Sequence, residues 1–208
     1  MTSIIWDFDG TLANSYPGMV AATQKALEEN FKIKLSKDTI YSGIKATSIR
    51  KFVAGLLEKN EDTSIDGLDT FYKTYTLHEN EFHDQIRLMP HAKISLDYCR
   101  SQGYQQFIVT HRDKSIYDIA KKLEISDYFD EIVSVADDHT RKPDPDMLNY
   151  LMGKYNLSAQ DMFVVGDRKI DIDFGKSVSA KTILLSDEED NFDSDYKISK
   201  LNELNEII

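Results

Sequence analysis

Four short stretches of the sequence place polar residues directly after apolar runs, or one short loop beyond them. The stretches are Asp7-Phe8-Asp9-Gly10-Thr11, Thr110-His111-Arg112, Arg141-Lys142-Pro143-Asp144-Pro145 and Gly166-Asp167-Arg168-Lys169-Ile170-Asp171. In open parallel sheets, ligands bind at the carboxyl ends of the strands. If the apolar runs are strands of one such sheet, these residues meet at one edge, and their chemistry is best considered together.

The first stretch puts two carboxylates, Asp7 and Asp9, at the end of a buried run. Aspartate and glycine are common in turns, so an ordinary turn is one interpretation. Two carboxylates this close repel each other, however, unless a cation or a proton offsets their charge. The pair therefore indicates a cation or a bound proton beside this turn.

Thr110 and Lys142 are suited to an anion. Thr110 offers a hydroxyl, and amides at a helix start also bind anions, although a plain helix cap explains the same residue. His111 and Arg112 can each be surface residues. Lys142 can be an ordinary loop residue, but the prolines that follow restrict the backbone and so the direction of its side chain.

Asp167 and Asp171 are about one helical turn apart, so both can face one point, although a helix cap is again the alternative. With Asp7 and Asp9 they supply oxygen ligands of the kind that Mg²⁺ takes alongside water and substrate phosphate. A metal, a fixed cation, amide donors, a nucleophile and an acid are the requirements of phosphoryl transfer. We therefore expect phosphoryl-transfer chemistry at this sheet edge.

Short strands and amphipathic helices must position these residues. Apolar runs predict strands at residues 3–6, 106–110, 132–135, 162–166 and 182–185, with a short edge strand at 196–198. Helical spacing and stop signals predict helices at residues 92–101, 115–123 and 145–155 and an amphipathic tail at 199–208. This alternation predicts an α/β fold with a doubly wound parallel sheet of the Rossmann-like type.

The segment of residues 15–83 has a different pattern. Its apolar residues recur at spacings of three and four, which predicts an all-helical lobe of about four helices. We therefore expect a catalytic core of residues 1–14 and 84–208, interrupted by a helical domain of residues 15–83. An insertion at a strand end is where a lid over a site is placed.

The composition argues against several classes of protein. A net charge of −11 argues against a nucleic-acid partner, and no apolar run approaches the roughly 20 residues that cross a membrane. The amino terminus lacks the features of a signal peptide, so a cytoplasmic location is expected. A single cysteine, Cys99, allows no internal disulfide. The sequence predicts a small phosphorylated metabolite as the partner, and oligomeric state is not readable from it.

The motifs, in this order, resemble those of the haloacid dehalogenase-like hydrolase superfamily. Residues 7–11 match its first motif, Thr110 the second, Lys142 the third, and Gly166-Asp167 with Asp171 the fourth. The resemblance covers the whole chain, including an insertion like the C1 cap of subfamily IA, and points to the phosphoglycolate-phosphatase-like branch. It implies a Mg²⁺-dependent phosphatase that works through an aspartyl-phosphate intermediate.

The resemblance also implies a role for each matching residue. Asp7 is implied as the nucleophile, and Asp9 as the acid that protonates the leaving alcohol and then serves as the base for water. Mg²⁺ is implied at a carboxylate oxygen of Asp7, the backbone carbonyl of Asp9, and Asp167. Asp171 is implied to ligate through water or to orient Lys142. The residues implied at the phosphate are Gly10, Thr11, Thr110, His111 through its amide, and Lys142.

Substrate choice is expected to lie in the helical insertion. Residues 42–47 resemble the cap loop of this branch, which dips toward the site. Lys45, and with it Arg50, can meet a second anionic group of the substrate. A solvated helix start is the alternative explanation for Lys45.

Other functions stay open at this point. A sugar phosphomutase of the β-phosphoglucomutase type is one, but that branch carries a histidine where this chain has Met19 and an arginine where it has Ala46. The presence of Asp9 disfavours dehalogenation, because true dehalogenases lack this carboxylate. A phospho-aspartate signalling module is the non-enzyme alternative, although such modules lack a helical insert of this size. His111 stands where asparagine is frequent in the family, which leaves the role of its side chain open.

Overall fold

A computed structural model describes residues 1–60, 66–189 and 192–208 of the chain. These residues form two compact units: Met1–Asn14 with Arg87–Ile208, and Ser15–Ile86. We call them the core unit and the helical unit. The chain returns to the core unit after Ile86, rather than after residue 83, because a 3₁₀ helix at His83–Gln85 still belongs to the helical unit.

A parallel sheet forms the centre of the core unit. In the described residues the strands are β1 (Ser3–Trp6), β2 (Ala13–Asn14), β3 (Arg87–Leu88), β4 (Gln105–Thr110), β5 (Glu131–Ser134), β6 (Met162–Gly166), β7 (Lys181–Leu185) and β8 (Tyr196–Ile198). The parallel sheet has the order β5-β4-β1-β6-β7-β8. The sheet is built outward from β1 in both directions, which confirms the predicted doubly wound topology.

Helices alternate with these strands along the chain. The α-helices of the described residues are α1 (Tyr16–Phe31), α2 (Lys37–Ala46), α3 (Ile49–Lys59), α4 (Gly67–Asn80), α5 (Ala92–Ser101), α6 (Ser115–Lys122), α7 (Asp146–Tyr155) and α8 (Lys169–Lys176). One apolar cluster of the core unit joins β1, β4 and β6 to α7 and α8 through Ile5, Phe107, Val164, Leu148 and Phe174. Because the central strands are buried on both faces, they appear in the sequence as unbroken apolar runs.

Several element ends differ from the prediction by a residue or more, and two of these differences have a clear structural cause. The strand predicted at residues 132–135 is β5, which ends at Ser134. The Ser134 hydroxyl accepts a hydrogen bond from the Ala136 amide at 3.0 Å and caps a 3₁₀ helix at Val135–Asp137, which ends the strand. The tail is a 3₁₀ helix at Leu201–Glu206, whose three-residue period buries Leu201 and Leu204 while Ile207 and Ile208 stay half-exposed.

A second, very small sheet was not predicted. In it β2 pairs antiparallel with β3, with Ala13 opposite Leu88 and Asn14 opposite Arg87. The amide of Met89 donates to the Leu12 carbonyl at 2.8 Å beside this pair. This pair of strands joins the segment where the chain leaves the core unit, at Asn14, to the segment where it returns, at Arg87.

The helical unit is held together by apolar contacts between its helices. Ala26 and Leu27 of α1 pack with Val53 and Leu57 of α3 and with Phe71 of α4. This arrangement in the described residues confirms the predicted helical insertion. No helix in the described parts of the chain combines the length and the apolar character that a membrane-spanning segment requires.

The stretch of residues 42–47 was expected to be a loop, and that expectation is wrong. Residues 42–46 form the last part of α2, and Thr47 is its C-cap. Gly43 lies on the face of α2 that meets α3: a Cβ built on it would lie 2.2 Å from Cε2 of Phe52. The glycine in this stretch therefore serves close helix packing rather than a loop conformation.

Candidate active site

The turn after β1 holds its carboxylates in a fixed backbone. The Asp7 amide donates to the Val165 carbonyl at 2.8 Å, which continues the sheet ladder one residue beyond β1. The Phe8 carbonyl then accepts the amides of Thr11, Leu12 and Ala13 at 3.3, 3.1 and 2.9 Å. Gly10 has φ = 90°, a conformation that side chains rarely adopt, so this turn requires glycine.

Three buried carboxylates meet beyond the ends of β1 and β6. Oxygen atoms of Asp7, Asp167 and Asp171 all lie within 4.8 Å of one another. Asp171 Oδ2 is buried and accepts no hydrogen bond from the described residues, and Nε of Arg168 lies 3.9 Å from it. Carboxylate oxygens in such a cluster are suited to a hard divalent cation, so the residues present fit the predicted metal site. The cluster contains three of the four aspartates that the sequence singled out.

Lys142 joins the cluster. Its Nζ lies 2.7 Å from Oδ1 of Asp7 and 2.8 Å from Oδ1 of Asp171, and its side chain is 2% exposed. The lysine thus binds the predicted nucleophile and a second carboxylate at the same time. The structure therefore brings together one residue from each of three of the four stretches that the sequence singled out.

Burial and neighbouring charges shift the pKa values in opposite directions within this cluster. Burial first, and then the Asp171 carboxylate, raise the pKa of Asp7 to about 7, although Lys142 acts against this. Burial also opposes ionisation of Asp171, but Lys142 and Arg168 outweigh it and lower the pKa of that carboxyl. Burial disfavours the charged form of Lys142, but Asp171 and Asp7 outweigh it and raise the lysine pKa. A further cation beside Asp7 would favour its ionised form.

Thr11 and Thr110 are both buried at strand ends. The Thr11 hydroxyl lies 3.5 Å from Oδ2 of Asp7 and 3.3 Å from Oδ1 of Asp167, so it is shared between these two carboxylates. The Thr110 hydroxyl, at the end of β4, accepts the Arg112 amide at 3.0 Å. Their predicted contacts with phosphate stay a prediction, as do those of Gly10.

His111 contributes a neutral imidazole. Its Nε2 is buried and has no hydrogen-bond partner among the described residues. Burial, followed by the positive charges of Lys142 and Arg141, lowers the pKa of His111 from 6.5 to about 3. The ring is therefore uncharged at neutral pH.

The sequence did not predict that Arg112 and Arg168 are buried beside the candidate site residues Asp9 and Asp167. Arg112 is buried, and its Nη2 and Nε lie 2.6 and 3.1 Å from Oδ1 of Asp9. Asp9 is thus paired with an arginine, outside the three-carboxylate cluster. Arg168 is also buried, next to Asp167 in the chain. Both arginines lie within the stretches that the sequence singled out, but local sequence does not tell a buried cation from a solvated one.

The two remaining predicted residues belong to the helical unit. Lys45 lies in the last turn of α2, with Nζ 5.9 Å from the centre of the Tyr16 ring. Arg50 lies in the first turn of α3 and is exposed. Their part in substrate choice stays a prediction.

Known proteins are similar to this chain in sequence and in fold. The model of a family described as haloacid dehalogenase-like hydrolase matches residues 4–185. The phosphoglycolate phosphatase of Nitrosospira multiformis is 28% identical over 170 residues, which cover 79% of this chain and 74% of that protein. The phosphoglycolate phosphatase of Vibrio cholerae is 29% identical over 177 residues, covering 81% and 77%.

A solved structure extends the likeness to the whole chain. It is described as a predicted phosphoglycolate phosphatase from Haemophilus somnus 129pt, and it has a TM-score of 0.85 with 22% identity over 100% of this chain and 97% of that chain. At this identity the likeness shows the fold. The resemblance inferred from the motifs is confirmed by the family match and these relatives. The chain therefore belongs to the haloacid dehalogenase-like hydrolase family, and its curated relatives support a phosphatase enzyme.

Proposed function

We propose that this protein is a Mg²⁺-dependent phosphatase that hydrolyses a small phosphorylated metabolite through an aspartyl-phosphate. The observation that carries the proposal is the buried contact of Lys142 with both Asp7 and Asp171, next to Asp167. A lysine fixed between two carboxylates can balance a phosphoryl group that approaches Asp7. The curated relatives named phosphoglycolate phosphatase support the same reaction class.

The donor set supports Mg²⁺ as the metal. Asp7, Asp167 and the backbone carbonyl of Asp9 would hold it, and Asp171 would ligate through water or keep Lys142 in place. When bound, Mg²⁺ would supply positive charge for the phosphoryl oxygens and for the ionised form of Asp7. Because burial raises the pKa of Asp7 to about 7, a cation at this position favours the carboxylate that attacks.

The proposed reaction has two displacements at phosphorus. In the first, a carboxylate oxygen of Asp7 forms a bond to phosphorus while the bond to the ester oxygen breaks, and the carboxyl group of Asp9 gives its proton to that oxygen. In the second, water attacks phosphorus, the bond to Asp7 breaks, and the Asp9 carboxylate takes the water proton. Asp7 and Asp9 return to their starting forms, and the products are an alcohol and phosphate.

Contacts with the phosphoryl oxygens are proposed for residues around this centre. Lys142 would contribute charge, Thr110 its hydroxyl, and His111 its amide. Gly10 and Thr11 would let the backbone pass close to the phosphate. These donors are suited to a group whose negative charge is spread over several oxygens.

The helical unit is proposed as the cap that selects the substrate. Lys45 and Arg50 are the candidates for a second anionic group, such as the carboxylate that phosphoglycolate carries. This part of the proposal rests on two cations in the helical unit and on the names of the curated relatives.

The experiment measures Mg²⁺-dependent release of phosphate from an aryl phosphate by the wild type and by Asp7→Asn. We expect the variant to lose about 10⁴-fold or more in kcat, because it lacks the nucleophile. Asp173→Asn is the matched control, since Asp173 is an exposed aspartate of α8 paired with Lys169. Removal of Mg²⁺ with a chelator should abolish turnover, and its return should restore it. Full turnover by Asp7→Asn, in a preparation free of contaminating phosphatase, would falsify the nucleophile assignment.

A further inference from the structure

The guanidinium of Arg112 makes a two-point contact with a single oxygen of Asp9. Its Nη2 and Nε donate to Oδ1 at 2.6 and 3.1 Å, and the two side chains are only 6% and 13% exposed. Exposed ion pairs contribute little, because water competes for both partners and the side chains lose freedom. This pair is buried, so water competes less for either partner than at an exposed site.

The backbone of Arg112 is fixed as well. Its amide donates to the Thr110 hydroxyl at 3.0 Å, and its carbonyl accepts the Ser134 hydroxyl at 2.7 Å. Ser134 is fully buried at the end of β5, directly beside Thr110 in the sheet register. A chain of hydrogen bonds therefore runs from the end of β5, through Arg112, to the carboxylate of Asp9.

We propose that Arg112 is a positioning residue that fixes the orientation of the Asp9 carboxyl group for its two proton transfers, to the leaving oxygen and then from the attacking water; this inference rests on the proposed function above. A carboxylate at a strand end next to Asp7 is repelled by it and can adopt other rotamers. The planar guanidinium restricts that freedom, because two of its nitrogens hold the same oxygen of Asp9. Lysine offers a single flexible ammonium and cannot reproduce this contact.

The test compares two substrates that differ in their need for a general acid. The leaving group of p-nitrophenyl phosphate departs without a proton, whereas the alkoxide of glycerol phosphate requires one. We expect Arg112→Met to lower kcat for glycerol phosphate by about 100-fold, since misplacing a reacting group by about 1 Å has an effect of that size. For p-nitrophenyl phosphate we expect a loss of only a few-fold, and little change in KM. Arg112→Lys, which keeps the charge, should recover part of the lost rate.

Two further variants separate positioning from other roles. In an Asp9→Asn background, Arg112→Met should have no additional effect on glycerol phosphate, because its target is gone. Ser134→Ala, which removes one anchor of Arg112, should show the same substrate dependence at smaller size. Arg100→Lys is the control for an arginine-to-lysine change, because Arg100 stacks on Tyr128 at the surface of the core unit; it should leave both rates unchanged.

Three results would overturn the inference. Equal losses on both substrates together with a lower melting temperature indicate a purely structural role for Arg112. A rise in KM alone that persists in the Asp9→Asn background indicates binding of the substrate. A crystal structure of Arg112→Met in which the Asp9 carboxylate keeps its orientation also contradicts it. That last measurement needs no turnover, so it decides the role of Arg112 even if the wild type hydrolyses neither phosphate and the proposed function fails.

Discussion

The core unit and the helical unit differ in where they keep charge. Among the described residues, the buried charged side chains of the core unit are Asp7, Asp9, Arg112, Lys142, Asp167, Arg168 and Asp171. The helical unit buries Glu79, which is paired with His83. Removing charges from water is costly unless each is compensated, so proteins seldom bury several together without a function. The comparison indicates that the chemistry belongs to the core unit.

The two units also differ in what holds them together. The helical unit depends on apolar contacts, such as those of Leu27, Val53 and Phe71 between α1, α3 and α4. The core unit is also packed through apolar contacts. In addition, the carboxyl end of its sheet carries buried charged side chains, such as Asp7, Lys142 and Asp171, that compensate one another's charge. Substitutions at that end of the sheet should therefore change the reaction rate strongly, and substitutions of exposed cations in the helical unit should change substrate affinity weakly.

Lys142→Met tests the core side of this comparison most severely. The variant keeps an unbranched side chain one atom shorter than lysine, but it removes the charge that compensates Asp7 and Asp171. We expect kcat to fall by about 10²–10³-fold, as when one preorganised donor is removed from a charged transition state. We also expect the free energy of unfolding to fall by roughly 3–5 kcal/mol, because two buried carboxylates lose their partner.

Lys154→Met is the control for that substitution. Lys154 is an exposed lysine of α7 that pairs with Glu131 at 2.9 Å. Phosphate release and urea unfolding should both stay near the wild-type values. If Lys154→Met lost as much rate as Lys142→Met, the effect could not be assigned to the burial of Lys142, and the prediction would be wrong.

Gly166→Ala tests the core unit by adding one methyl group beside Asp171 without changing any charge. A Cβ at Gly166 would lie 2.2 Å from Cβ and 2.5 Å from Cγ of Asp171, so the aspartate must move. We expect kcat to fall by about tenfold to 100-fold and stability to fall by roughly 1–3 kcal/mol. Gly153→Ala is the matched control, since nothing lies within 4 Å of its built Cβ in helix α7. That variant should gain about 0.5–1 kcal/mol without a change in rate.

The stability of the protein should depend on pH through His111 of the core unit. Below about pH 6.5 the unfolded chain protonates this imidazole, while burial keeps it neutral in the fold down to about pH 3. The unfolded state then binds more protons, so His111 makes stability fall with falling pH, by up to about 1.4 kcal/mol for each pH unit. His111→Asn should lose less stability than the wild type between about pH 7 and pH 5, measured by urea unfolding.

His91→Asn is the control for the pH experiment. His91 is exposed, and its φ of 66° is one that asparagine tolerates. Urea unfolding of this variant at neutral pH should stay near the wild-type value, which gives the effect of an exposed histidine-to-asparagine change. If the stability of His111→Asn falls with pH as steeply as that of the wild type, the buried neutral state of His111 is wrong.

The smallest effects are expected in the helical unit. Lys45→Ala and Arg50→Ala should raise KM by a few-fold to about tenfold for a phosphate ester that carries a second anionic group, because Arg50 is exposed, Lys45 is only half-buried, and ion pairs near the surface contribute about 1 kcal/mol or less. The kcat for p-nitrophenyl phosphate should not change. A large loss of kcat in either variant would mean that the chemistry is not confined to the core unit.

Much of the core unit could be predicted from the sequence because buried parallel strands leave unbroken apolar runs. The same runs located Asp7, Lys142 and Asp167, since strand ends of one sheet must meet at its edge. The pairing of β2 with β3 was missed because two-residue strands carry no periodicity. The end of α2 was mistaken for a loop because residues 42–47 were assigned from their resemblance to a cap loop, whereas Gly43 serves close helix packing there.

The contact between Arg112 and Asp9 was beyond local reasoning for a different reason. These residues are 103 positions apart, and nothing in either neighbourhood specifies the partner. The sequence shows which residue types are present at the strand ends, whereas the rotamers that pair them depend on packing. His111 is a related case, because its neutrality follows from burial and from cations contributed by other loops.

The residue directly before Asp7 is a tryptophan, which gives the core unit an intrinsic fluorescent probe. Trp6 is the single tryptophan of the chain, is fully buried, and donates its indole N–H to Oε1 of Gln106 at 3.2 Å. Its emission therefore comes from the strand that carries the proposed nucleophile, and the helical unit contributes no indole signal. Because this indole is withdrawn from water in the fold and meets water in the unfolded chain, its fluorescence reports unfolding of the core unit without an added label.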